Sequence, residues 1–220
     1  MHPTVVITGA NRGIGLALAS VYQNAANVVA VCRRSSPALA ELGVRVIDGI
    51  DVANSDDVNR LADQLASDSI DILINNAGIL YGDEFGAINF DNMQRQFDVN
   101  AVAPLRITEA LAGQLRAGSK VVLITSRMGS IADNSSGRSY GYRMSKAALN
   151  AAGMSLCHDL KPREIAVGIF HPGYVQTEMV GGRGDISAEQ CAQRLVQRIE
   201  ELKLGNSGGF WHSNGEVLPW

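Results

Sequence analysis

An alternation of two kinds of segment constrains this chain most. Runs rich in Val and Ile stand at 4–9 (TVVITG), 27–32 (NVVAVC), 44–48 (VRVID), 70–76 (IDILINN), 120–125 (KVVLIT) and 165–171 (IAVGIFH). These runs are nearly continuous in apolar character, which is the pattern of strands covered on both faces. Helices are expected between them over 13–25, 55–66, 89–115, 142–160 and 187–203. Ser55, followed by Asp56 and Asp57, reads as a helix N-cap with acids in the first turn, and Ser187 with Glu189 reads the same way. Strand and helix in repetition require right-handed crossovers and a parallel sheet. The expected fold is therefore α/β: one doubly wound domain over 1–220, with about seven strands and helices on both faces. The last stretch, GFWHSNGEVLPW, reads as a short strand, an Asn-Gly turn and a second extended piece. The glycine-rich pieces at 181–185 and 205–209 read as loops.

Composition narrows the function classes. With 220 residues, 46% of them hydrophobic and 19% charged, the chain can bury one good core. A net charge of −3 gives no reason to expect nucleic acid or an anionic membrane as a partner. No apolar run reaches the length of a membrane span, and MHPTVVITGA lacks the basic region of a secretory signal. Cys32, Cys157 and Cys191 are odd in number and far apart. They fit neither zinc spacing nor a disulfide framework. They are expected as small buried residues in a reducing cytoplasm, with no metal site.

The first strand runs into TGANRGIG, residues 8–15, and then into a helix. Gly9, Gly13 and Gly15 are spaced G-x-x-x-G-x-G, around Asn11, Arg12 and Ile14. Glycines there let the backbone turn tightly against a pyrophosphate, and the helix N-terminus offers free N–H groups and the positive end of its dipole. That placement predicts a dinucleotide site. The second strand ends VVAVCRRSS. Cys32 stands where an acid would bind the adenosine ribose of NAD, and Arg33 and Arg34 follow. Arg33, joined by Arg12, suits a 2′-phosphate, because guanidinium binds phosphate as a fork. NADP(H) is the expected cofactor, with NAD(H) possible.

These residues resemble the short-chain dehydrogenase/reductase family, and hence a Rossmann fold. TGANRGIG is similar to its nucleotide motif, NNAG (75–78) to its fourth-strand motif, and DVN (98–100) to the segment carrying its helix-four asparagine. Ser126 follows the fifth strand, YRMSK (142–146) matches Y-x-x-x-K, and HPGYVQT (171–177) matches P-G-x-V-x-T. The motifs occur in the family's order and cover nearly the whole chain. FHPGYVQTEM and GEVLPW look most like the compact branch that includes Sniffer-type carbonyl reductases and C-factor-like proteins.

The resemblance implies reversible reduction of an aldehyde or ketone, with Asn100, Ser126, Tyr142 and Lys146 as the catalytic set. Tyr142, rather than Tyr140, has the lysine four residues on, where a helix brings the two to one face. Lys146 is expected to favour the Tyr142 phenolate and to hold the nicotinamide ribose. Ser126 would bond the substrate oxygen, and Asn100 would place a relay water. Asp51 and Val52 would meet the adenine. Asn76, Ala77 and Gly78, with Tyr142 and Lys146 themselves, would line the cofactor site, while Asn75 supports the sheet. Pro172, Gly173, Val175 and Thr177 would hold the nicotinamide end. The segment 180–186 is expected to form a small, flexible lid. Helices 89–115 and 142–160 resemble the family's pairing surface, so a homodimer or homotetramer is expected. The competing expectation is a dinucleotide-binding regulator on the same fold.

Overall fold

Each apolar run forms a strand in the computed structural model, which describes residues 2–220. The strands are β1 (Thr4–Thr8), β2 (Asn27–Val31), β3 (Arg45–Ile47), β4 (Ile70–Asn75), β5 (Leu115–Ile124), β6 (Ala166–His171) and β7 (Phe210–His212). They form one sheet in the order β3-β2-β1-β4-β5-β6-β7, parallel throughout. The helices are α1 (Gly13–Tyr22), α2 (Pro37–Ala40), α3 (Ser55–Gln64), α4 (Phe90–Phe97), α5 (Ala103–Ala110), α6 (Tyr140–Leu160) and α7 (Ala188–Glu201).

The strands read as unbroken apolar runs because both faces of the sheet are covered. Val6, Leu73, Val121 and Val167 point to a core shared with Leu61 of α3, Ile107 of α5 and Leu149 of α6. Val5, Ile7, Ile74 and Val122 point the other way, toward Leu18 of α1 and Leu195 and Ile199 of α7. Each such side chain, fully buried, is worth about 1.5–3 kcal/mol of transfer free energy. The chain leaves β1 for β2 and β3, then returns to place β4 on the other side of β1. The strand order reverses between β1 and β4, so a crevice opens outside their carboxyl ends.

Local structure departs from the sequence reading in four places. The expected helix over 89–115 is broken. α4 ends at Phe97, a π turn occupies Asp98–Val102, α5 ends at Ala110, and Leu115 already belongs to β5, paired with Ile70. The cap of α3 is Asn54 rather than Ser55. The Asn54 carboxamide accepts from the N–H groups of Asp56 (2.8 Å) and Asp57 (3.1 Å), and Ser55 is the first helical residue. α6 begins at Tyr140, two residues before the expected start. The segment 180–186 is tied rather than loose. Gln176 N–H donates to the Ile186 carbonyl (2.9 Å) and Asp185 N–H to the Tyr174 carbonyl (2.7 Å). Ser187 does cap α7, accepting from Gln190 N–H at 3.2 Å. The C-terminal piece also follows expectation, with Trp211 in an antiparallel bridge to Val217. All three cysteines are buried and free.

Candidate active site

A cleft of about 860 Å³ lies at the crevice between the ends of β1 and β4. Its floor is built by contact between the two strand ends. Gly9 holds φ +66°, and a Cβ there would come within 2.9 Å of Ala77 Cα, so only glycine lets the loops after β1 and β4 meet. A Cβ on Gly15 would overlap the Gly9 carbonyl and lie 2.6 Å from Asn76 Nδ2. Asn76 is the brace between the loops: its Nδ2 donates to the carbonyls of Thr8 (2.9 Å) and Gly9 (3.3 Å). Thr8 Oγ1 in turn accepts from the N–H groups of Asn76 (3.0 Å) and Ala77 (3.1 Å). The neighbouring Asn75 is buried and donates to Thr108 Oγ1 at 3.2 Å, the supporting role expected of it.

The structure brings most of the proposed cofactor residues to this cleft. Gly9, Asn11, Arg12, Gly13, Ile14, Arg33, Asp51, Val52, Asn76, Ala77, Gly78, Tyr142, Lys146, Pro172 and Thr177 line it. Gly15, Gly173 and Val175 do not. Gly15 lies behind Gly9, Gly173 packs against the His212 ring, and Val175 forms a bridge with Ile186. Arg12 and Arg33 both line the cleft but turn to different carboxylates. Arg12 pairs with Glu178, which follows Thr177, while Arg33 Nη1 stands 4.0 Å from Asp51 Oδ2. Arg34 joins them on the cleft wall.

At the inner end of the cleft α6 presents Tyr142 and Lys146 on one face. Lys146 Nζ is 5.9 Å from the centroid of the Tyr142 ring and donates to the Ile124 carbonyl at 2.9 Å. Burial pushes the ammonium down to about 8. Burial pushes the Tyr142 phenol up to about 12, and the Ser126 hydroxyl beside it pulls the other way. The group that favours phenolate here is Ser126. Ser126 is held by its own turn: its Oγ accepts from Met128 N–H at 3.1 Å.

Asn100 sits in the π turn, fully buried. Its Oδ1 accepts from Ile79 N–H (2.9 Å), and its Nδ2 donates to the Ile79 carbonyl (2.9 Å) and to Ser145 Oγ (3.0 Å). A Cβ placed on Gly78 would stand 3.3 Å from Asn100 Oδ1 and 3.8 Å from Lys146 Nζ, so Asn100, Gly78 and Lys146 converge. The π turn inserts one extra residue into the helical path, which aims Asn100 inward; π bulges often mark such sites.

Some contributors escaped the sequence reading. Ile79, Tyr81 and Met179 also line the cleft. Thr8 closes an apolar strand, and its hydroxyl beside the glycine turn is a brace that the sequence pattern does not single out. His171, beneath the Pro172 turn, is buried with Nδ1 unpartnered, and its ring meets the His212 ring edge-on at 4.9 Å.

The model of the short chain dehydrogenase family matches residues 3–200. The chain belongs to that family. It is 37% identical over 224 residues to the 1-hydroxy-2-glutathionyl-2-methyl-3-butene dehydrogenase of Rhodococcus sp. (strain AD45), covering 99% of both chains. Among solved structures it superposes on carbonyl reductase Sniffer of D. melanogaster with a TM-score of 0.93 at 29% identity, covering 100% of both chains. It matches the NADPH-bound carbonyl reductase from chicken fatty liver with a TM-score of 0.90 at 25% identity, again over 100% of both. An oxidoreductase with a nicotinamide dinucleotide site follows from this membership. The cleft fits such a group on its own terms, since its glycine floor can take close backbone approach and a helix N-terminus opens onto it. Among the described residues, no helix is long and apolar enough to cross a membrane.

Proposed function

We propose that the chain reduces aldehyde or ketone carbonyls with NADP(H), and oxidises the corresponding alcohols in reverse. The observation that carries this reading is the Tyr142–Lys146 face of α6, buried at the inner end of the cleft with Ser126 beside the phenol. Burial keeps the Tyr142 phenol protonated at neutral pH, so it has a proton to give to a developing alkoxide, and the Ser126 hydroxyl beside it favours the phenolate that is left. Ser126 Oγ supplies a hydrogen bond to the same oxygen. Lys146 retains its proton at neutral pH and can restore the one that Tyr142 gives up, and a water placed by Asn100, which converges on Lys146 beside Gly78, would reprotonate Lys146. When bound, the nicotinamide supplies or accepts the hydride; the protein's residues orient the carbonyl and manage its proton.

Arg33 and Arg34, at the adenosine end of the cleft, support NADP(H) over NAD(H), since a 2′-phosphate would find two guanidinium groups there. The homo-oligomer is part of the proposal. Apolar side chains stand exposed on the two helical stretches expected to pair: Phe90 at the start of α4, Val102 and Leu105 along the α5 stretch, and Met144 on α6.

The test is Tyr142→Phe. NADPH binding should stay within about threefold of wild type while aldehyde turnover falls by a factor on the order of 10² or more, the usual scale of a lost general acid. Turnover retained in the variant would remove Tyr142 from the chemistry. NADPH binding without any carbonyl turnover in the wild type would favour the regulator.

A further inference from the structure

The helix that carries Tyr142 begins without a cap of its own. The first N–H groups of a helix have no intrahelical partner, and the preceding residue ordinarily accepts from them with an oxygen of its side chain. Ser139 stands in that place but holds φ +48°, and its hydroxyl makes no cap bond. Arg138 before it holds φ +58°. Two consecutive residues with side chains therefore occupy the left-handed region that such residues avoid.

The missing acceptors come from another element. Asp83, in the loop after β4 and 57 positions upstream, accepts Tyr140 N–H at Oδ1 (2.6 Å). Its Oδ2 accepts Gly141 N–H (3.1 Å), and its main-chain carbonyl accepts Ser139 N–H (2.9 Å). Next to it, Glu84 pairs with Arg138 at 3.3 Å. Three successive N–H groups at the head of α6 are closed by one residue, and its charge complements the helix dipole.

The loop that carries Asp83 is itself held at fixed points. Asn100 grips both the N–H and the carbonyl of Ile79, and Gln96 Oε1 accepts Tyr81 N–H at 2.9 Å. Asn100 returns to α6 through Ser145, whose hydroxyl donates to the Tyr142 carbonyl at 2.8 Å. Residues 79–83 thus form a strap, pinned at one end on Asn100 and at the other on the turn that holds Tyr142. The turn is seated closely as well: a Cβ on Gly141 would lie 2.6 Å from Gln96 Nε2 and 3.0 Å from Met93 Cα.

We infer that Asp83 is a positioning residue for Tyr142, an inference that rests on the carbonyl-reducing role proposed above. Its carboxylate holds the first turn of α6 helical against the strained entry at Arg138 and Ser139. Without it that entry relaxes, the turn frays, and the phenol leaves its place beside Ser126.

The experiment compares Asp83→Ala and Asp83→Asn with wild type in the full chain. It reads NADPH affinity by fluorescence, turnover of 4-nitrobenzaldehyde per NADPH-binding site, and hydrogen exchange in the peptide 139–143. Asp83→Ala should exchange at least ~10-fold faster there, keep its NADPH affinity within about threefold, and lose ~10-fold or more in kcat per site. Asp83→Asn keeps one acceptor and loses the charge, so it should fall between the two in both exchange and kcat. A merely structural role would lower Tm and leave kcat per binding site unchanged. A kcat within about twofold of wild type in Asp83→Ala would therefore overturn the inference, as would Asp83→Asn performing no better than Asp83→Ala. If Asp83→Ala does not fold, Asp83→Asn decides alone: a kcat per site at the wild-type level overturns the assignment, and a partial loss with faster exchange in 139–143 upholds it. A wild type that binds NADPH but turns over no carbonyl defeats the proposed function. The strap is then judged by exchange, and an unchanged 139–143 peptide in both variants overturns it.

Discussion

Lys146 and Tyr142 share one buried face of α6, with the ammonium 5.9 Å from the phenol ring and donating to the Ile124 carbonyl at 2.9 Å. Keeping a proton on Lys146 there is costly. Its pKa falls to about 8 in the folded protein, so the unfolded chain holds that proton more tightly. Stability therefore rises with pH between about 8 and the ordinary lysine value, and the penalty is fully present below 8. Tyr142, raised to about 12, acts in the opposite sense: its contribution is lost as pH climbs from the ordinary tyrosine value toward 12.

Lys146→Met should consequently abolish turnover while raising stability at pH 7 by about 1–3 kcal/mol, the scale set by the pKa shift less the lost hydrogen bond. The advantage should shrink as pH rises above 8. Chemical denaturation of both proteins at pH 7 and near pH 10 measures it. A variant less stable at pH 7 would mean that the bond to Ile124 outweighs the cost of burying the ammonium.

Arg33 separates the two cofactors. Its side chain is 58% exposed and only loosely opposed by Asp51 at 4.0 Å, so it is free to meet an anion. Arg33→Ala should weaken NADPH binding about tenfold, or ~1.4 kcal/mol, and leave NADH binding unchanged. Paired titrations decide the point. Equal losses for both cofactors would mean that Arg33 supports the cleft wall without reading a phosphate.

Two glycines should respond in opposite directions. A Cβ on Gly15 overlaps the Gly9 carbonyl, whereas one on Gly82 meets nothing within 4 Å. Gly15→Ala is expected to cost about 1–3 kcal/mol by overpacking, and to weaken NADPH binding because Gly9 must shift. Gly82→Ala is expected to be neutral or to stabilise by up to ~1 kcal/mol, since it restricts only the unfolded chain. Thermal melts with and without NADPH would show both effects. A tolerated Gly15→Ala would contradict the close packing of the two loops.

What the sequence reveals about this fold depends on how local each cause is. The sheet is legible because burial on both faces leaves an unbroken apolar run in every strand, from TVVIT to AVGIFH. The Tyr142–Lys146 face is legible because it follows from a spacing of four on one helix. The break within 89–115 is legible only in part: Pro104, with no N–H to donate back into the π turn, stands just after it, but the extra residue leaves no mark in the spacing, and Asn100 is held there by bonds to distant Ile79. Asp83 is invisible for the same reason, since the helix it caps lies 57 residues away. The pairing of Arg12 with Glu178 likewise joins the first loop to a segment far along the chain. Spacing rules see neighbours in sequence, and these features are made by neighbours in space.

His171 supplies a last prediction, in acid. It is buried at the end of β6, its Nδ1 has no partner, and the His212 ring lies edge-on to it. Burial, and then the neighbouring His212, push its pKa down to about 3. The unfolded chain titrates this residue at its ordinary value, so between there and about 3 it binds one proton that the folded protein refuses. Stability must fall as pH drops through that window, by up to ~1.4 kcal/mol per pH unit from this group alone. His171→Phe keeps an aromatic ring against His212 and removes the titration. Its stability should decline less steeply than wild type between pH 6 and 4, whatever its value at pH 7. Denaturant titrations across that range measure the difference in slope. Parallel curves would assign the acid sensitivity to other groups and leave His171 as packing beneath the Pro172 turn.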